Sequence, residues 1–123
     1  MKTLTASALA LSTILFVGCD ESALEQEADM IRDQTQQQAE DIRDSSQSSA
    51  EATREASQNA AENLRDRTDH ASDAVQDRAE ERADAIENRG EAIADEKEAR
   101  GENKADAVEE RGEEKADELE AVE

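Results

Sequence analysis

From Ser22 onward, small or apolar residues recur along the chain at spacings of 4, 3 and 4, which places them on one face of an α-helix. The region from Ser22 to Glu120 divides into consecutive units of eleven residues without insertion or deletion. The third position of each unit runs Leu24, Thr35, Ser46, Ser57, Thr68, Ala79, Gly90, Gly101 and Gly112. The seventh is alanine in every unit except the one holding Ser72, and the tenth is a large aliphatic in every unit except those holding Thr53 and Lys97. Three turns per unit give about 3.67 residues per turn, so the stripe stays nearly straight and any supercoil is right-handed. The pattern therefore predicts an all-α, non-globular chain: a single long amphipathic helix built on an 11-residue repeat. The chain contains no proline to interrupt it, and Ser22-Ala23-Leu24-Glu25 fits a capping box that would start it. Unbroken, such a helix would reach about 150 Å.

Polar residues divide the repeat into two regimes. Residues 22–65 are rich in Gln and Ser, as in Gln36-Gln37-Gln38, and carry arginine at the eleventh position, at Arg32, Arg43, Arg54 and Arg65. There the acid at the eighth position lies three residues before its arginine, as Glu40 does before Arg43, a weakly stabilising helical pair. Residues 66–120 move arginine to the second position, at Arg67, Arg78, Arg89, Arg100 and Arg111, and place mainly Glu at the eleventh. The first region is expected to be the more flexible and the second the firmer helix, with a short tail at 121–123. In the second region the contact stripe comprises Ala83, Ile86, Gly90, Ala94, Gly101, Ala105, Val108, Gly112, Ala116 and Leu119. A glycine in a helix interior costs about 1 kcal/mol relative to alanine, so three at regular spacing suggest close approach of another helix.

Charge restricts the partners. The 123 residues hold 34 Asp plus Glu against 14 Lys plus Arg, a formal charge of −20, with a single aromatic residue. Nucleic-acid binding needs clustered cations to displace phosphate counterions, and none is expected here. Burying one large aliphatic contributes about 1.5–3 kcal/mol, whereas ordering each residue costs about 1–2 kcal/mol of backbone entropy. A lone helix with so thin a stripe is marginal. The chain is thus either conditionally disordered until it meets a partner helix, a lipid surface or dry conditions, or it is a homo-oligomeric coiled coil.

The first residues differ in kind. Lys2 is followed by a charge-free run from Leu4 to Val17, shorter than the roughly 20 residues a membrane-spanning helix needs, and this reads as a signal peptide over residues 1–18. Its end, Leu15-Phe16-Val17-Gly18-Cys19, places a small residue directly before the chain's one cysteine. This resembles the lipobox of bacterial lipoprotein precursors. The resemblance implies that Leu15, Phe16, Val17 and Gly18 are recognition positions and that Cys19 is acylated and becomes the first mature residue, heading a lipidated N-terminus at 19–21. It further implies a protein anchored in the bacterial cell envelope and facing the periplasm. Asp20-Glu21 resembles an inner-membrane retention signal, favouring the inner over the outer membrane. Acyl chains anchor at about 0.8 kcal/mol per buried CH₂.

No catalytic constellation is present, so a non-enzymatic protein without cofactor, other than the covalent lipid, is expected. His70 is the sole histidine and lies off the stripe with no second ligand type beside it, so it reads as a solvated side chain rather than a metal ligand. The pairs Glu91 with Asp95, Glu102 with Asp106 and Glu113 with Asp117 are four apart and adjacent on a helix. They read as a solvated acidic face able to collect divalent cations diffusely. The undecad periodicity of Ser22 to Glu120 resembles group 3 late-embryogenesis-abundant proteins and, more loosely, exchangeable apolipoproteins. That resemblance implies a chain that gains helix on drying or on lipid, with a structural or stress-protective role. An envelope spacer or docking partner built as an oligomeric coiled coil is the alternative.

Overall fold

The computed structural model describes residues 23–122. Cys19, its preceding recognition residues, Asp20, Glu21 and the cap residue Ser22 lie outside them. The described chain is two long helices, α1 (Ala23–Thr68, 46 residues) and α2 (Asp73–Glu120, 48 residues), packed against each other as an antiparallel hairpin. This corrects the expectation of a single unbroken helix. Each arm is about 70 Å long at 1.5 Å per residue, so the reach is about half that of one continuous rod.

Local chemistry explains where the helix breaks. Thr68 ends α1 with its hydroxyl turned back onto the carbonyls of Leu64 and Arg65, 3.0 Å from each. Arg65 and Arg67 stand in that last turn and Asp73 in the first turn of α2, so both new helix ends carry the charge their dipoles favour. Ser72, the one departure from alanine at the seventh position, adopts an extended backbone (φ −69°, ψ 153°) and its carbonyl accepts from the amides of Val75 and Gln76. The Gln76 side-chain amide donates back to the carbonyls of Asp69 (2.7 Å) and Ala71 (3.3 Å). Gln76 thereby satisfies two carbonyls of the turn itself, while the Ala71 amide donates to the open Thr68 carbonyl at the end of α1, at 2.9 Å.

The core is made of small residues. Ala28, Ala39, Ala50 and Ala61 of α1 and Ala83, Ala94, Ala105 and Ala116 of α2 are fully buried, and among the described residues no large side chain is. Gly90, Gly101 and Gly112 are buried too, facing Ser57, Ser46 and Thr35 across the interface. A methyl group at any of the three would overlap the side-chain oxygen and Cβ of its partner. A Cβ cannot rotate away, so the backbones can come this close only where α2 has glycine. Of the residues named for the α2 stripe, Ala83, Gly90, Ala94, Gly101, Ala105, Gly112 and Ala116 are buried where α2 packs against α1. Ile86, Val108 and Leu119 flank the core half-buried.

Two exceptions to the aliphatic tenth position meet each other. The Lys97 ammonium donates to Thr53 Oγ1 at 2.7 Å and to Ser49 Oγ at 3.0 Å. A polar pair within an otherwise repetitive apolar flank opposes alternative registers, as single polar residues do in coiled coils. Replacing both residues with aliphatics, T53L with K97I, should raise stability by about 1–3 kcal/mol through added burial. Distance distributions between labels on the two arms should broaden at the same time. A narrow single distribution in the double variant would show that the pair does not set the register.

Candidate functional site

The most elaborate chemistry lies along one face of the hairpin, where four arginines of α1 each enter a cage of three α2 carboxylates. Arg54 is representative: Nε reaches Glu91 at 3.1 Å, Nη2 reaches Asp95 at 2.9 Å and Nη1 reaches Glu98 at 2.6 Å. Arg65 holds Glu80, Asp84 and Glu87 at 3.0, 2.9 and 2.6 Å. Arg43 does the same with Glu102, Asp106 and Glu109 at 3.2, 2.8 and 2.7 Å. Arg32 closes the series on Asp117 (3.0 Å), Glu120 and, more distantly, Glu113 (3.9 Å).

Helix geometry produces each cage. Carboxylates at i, i+4 and i+7 of α2 project along one flank, and the planar guanidinium offers five donors in a fixed fork that can serve all three. The arginine stems are about three-quarters covered, with 26–31% of each side chain exposed, so they also shield the alanine core.

Hydrogen bonding dominates the electrostatics. The hydrogen bond from Arg65 holds the Glu87 carboxyl below the ordinary range, aided by the guanidinium charge and opposed by partial desolvation. Glu98, Glu109 and Glu120 are lowered in the same way by Arg54, Arg43 and Arg32. The four arginines are raised in turn, Arg32 chiefly by its hydrogen bond to Glu120 and the others chiefly by those to Glu109, Glu98 and Glu87.

These contacts revise two sequence expectations. Arg43 engages no acid on its own helix and instead reaches 59–66 residues along the chain; Arg32 alone keeps the short-range pair, with Asp29 at 3.6 Å. The acid pairs at 91/95, 102/106 and 113/117 are not a merely solvated face, because each clamps an arginine of the other helix. No cluster of His, Cys, Asp or Glu among the described residues is arranged to hold a metal ion. The His70 side chain is 97% exposed at the turn, with Asp69 3.8 Å away.

Sequence reading missed the cross-helix role of the arginines, although their shift from the eleventh to the second position was visible. An arginine at the eleventh position on one arm requires an acid at the eleventh position on the other. Compared with known proteins, the chain matches no family model, no curated protein and no solved structure.

Proposed function

We propose that this chain is a lipid-anchored protein of the bacterial cell envelope with a non-enzymatic, structural or stress-protective role. The observation that carries the reading is the run Leu15-Phe16-Val17-Gly18-Cys19 after a charge-free segment. Acylation of Cys19 would attach a very acidic hairpin to a membrane four residues before Ala23, where α1 begins. No helix among the described residues is long and apolar enough to cross a membrane. The hairpin fits a passive role well: its contacts are spent on holding the two arms together. Its repeated cages, at residues 32, 43, 54 and 65, distribute that hold evenly along the rod. An 11-residue repeat that closes on itself needs no lipid to cover its stripe, so the lipid would serve for attachment.

A second reading is an oligomeric coiled-coil spacer or docking partner. Its support is apolar surface left outside the helix pair, with Met30 64% and Ile93 38% exposed.

The decisive experiment on attachment is C19A in a bacterial host. The wild-type chain should fractionate with membranes and enter the detergent phase on phase separation, and the variant should keep its leader and lose lipid labelling. Equal membrane association, lipid labelling and size in both would refute the anchor.

A further inference from the structure

The flank of α2 opposite the arginine cages carries a row of cations. On α2, Arg100, Lys104, Arg111 and Lys115 line the grooves on this side and are exposed. Arg89 occupies the equivalent place one unit earlier. Across the grooves, α1 answers with Gln34, Gln38, Ser45 and Ser49, none of them charged. Among the described residues, the cross-helix ion pairs belong to the four caged arginines of α1. Arg100 pairs within its own helix to Glu96, and Arg111 donates to the carbonyl of Ala107. Among the described residues the hairpin therefore holds a row of cations that make no ion pair across the groove. On its other face three α2 carboxylates surround every α1 arginine, leaving negative charge in excess.

We propose that this basic face is a docking surface for the acidic face of a second copy of the chain, with hairpins stacking in parallel. Both charge rows repeat every eleven residues, about 16.5 Å at 1.5 Å per residue. A copy laid face to face at the same level thus brings α2 cations over α2 carboxylates in several successive units at once. The two surfaces differ, so the contact is heterologous and leaves one basic and one acidic face open at the ends of every stack. The net charge of −20 opposes association at long range. One helix diameter, about 10 Å, separates the two faces, and the Debye length is also about 10 Å at 0.1 M salt. Near that ionic strength each face therefore acts largely on its own. At about 0.01 M the screening length grows to roughly 30 Å and whole-molecule repulsion takes over, while at about 1 M it falls to roughly 3 Å and the attraction is lost. Association should peak between these limits, and it does not depend on the lipid.

Zero-length carbodiimide cross-linking of the purified full chain in neutral detergent tests this. A ladder of cross-linked species is expected near 0.1 M salt, fading on both sides. The variant R89E/R100E/R111E, which keeps the lysine amines that the reagent joins to carboxylates, should cut the ladder by about tenfold or more, since it juxtaposes like charges. It should also shorten wild-type ladders when mixed in, because its acidic face still binds once. R89Q/R100Q/R111Q serves the same purpose if the reversed chain loses helicity. A ladder unchanged by either variant, or none from the wild-type chain at any of these salts, would overturn the proposal.

Discussion

Replacing Gly90, Gly101 and Gly112 together with alanine should make the chain more helical and at the same time drive its two arms apart. Each substitution favours the helix by about 1 kcal/mol, so local propensity alone would stabilise the variant by about 3 kcal/mol. Against this, each new methyl would overlap Ser57, Ser46 or Thr35, and overpacking a tight contact costs about 1–3 kcal/mol per site. Because the overlap involves Cβ atoms as well as rotatable oxygens, the interface must separate. The expected signature is circular dichroism at 222 nm that stays level or deepens while spin labels at Ser48 and Asn103 move apart and cooperative melting is lost. The paired variant G101A/S46G moves the missing Cβ from one helix to the other and should recover most of the pairing lost in G101A alone. If the triple variant melts as cooperatively as the parent with unchanged distances, close backbone approach is not what holds the arms together.

The second large effect concerns the ladder. Changing Arg32, Arg43, Arg54 and Arg65 together to glutamine leaves their α2 carboxylates facing α1 without a counter-charge and should open the hairpin at neutral pH in low salt. Its pH dependence has a definite sign. Glu87, Glu98, Glu109 and Glu120 are held below their ordinary values in the folded chain. Their contribution is therefore complete above the unfolded value, about 4.3 for Glu, and is lost as the pH falls through the lowered folded values. The difference in melting temperature between parent and variant should thus be large at pH 7 and shrink steadily below about pH 4. Acid also relieves the general repulsion of this acidic chain, but it does so in both proteins and largely cancels in the difference. A gap that persists unchanged into acid would mean that the arginines act through their apolar stems alone.

How much of this was legible beforehand depends on the length scale. The small residues that α2 buries between Ala83 and Ala116 stand at the positions the repeat marks, whereas buried Ala79 lies outside the stripe read from the sequence and Ile86, Val108 and Leu119 are only half-buried. The close approach implied by the glycines could be read as well, because their helix-propensity cost calls for a compensating contact. The fold-back could not. Asp69-His70-Ala71-Ser72 contains neither glycine nor proline, and no break in the apolar period announces a turn. Its interruption becomes favourable only through long-range gains, when arginines of one arm meet acids of the other. Traces of it were present all the same. Ser72 is the one non-alanine at its repeat position, and arginine changes position within the same unit. Both were visible as irregularities, and neither has a local physical meaning until the two arms are placed side by side. The cages were hidden for the same reason, since local spacing matches Arg43 with Glu40 and only tertiary structure can offer it three better-placed acids at once.

The turn has a bearing on access as well as on architecture. Because the chain doubles back after Thr68, Glu120 ends beside the start of α1, while His70 stands about 70 Å away at the far end. A tether at the Ala23 end of α1 would hold Glu120 at the same level and lift the connection at residues 69–72 into the surroundings. That connection, rather than Ala23 or Glu120, is then the part of the hairpin a distant molecule would meet first.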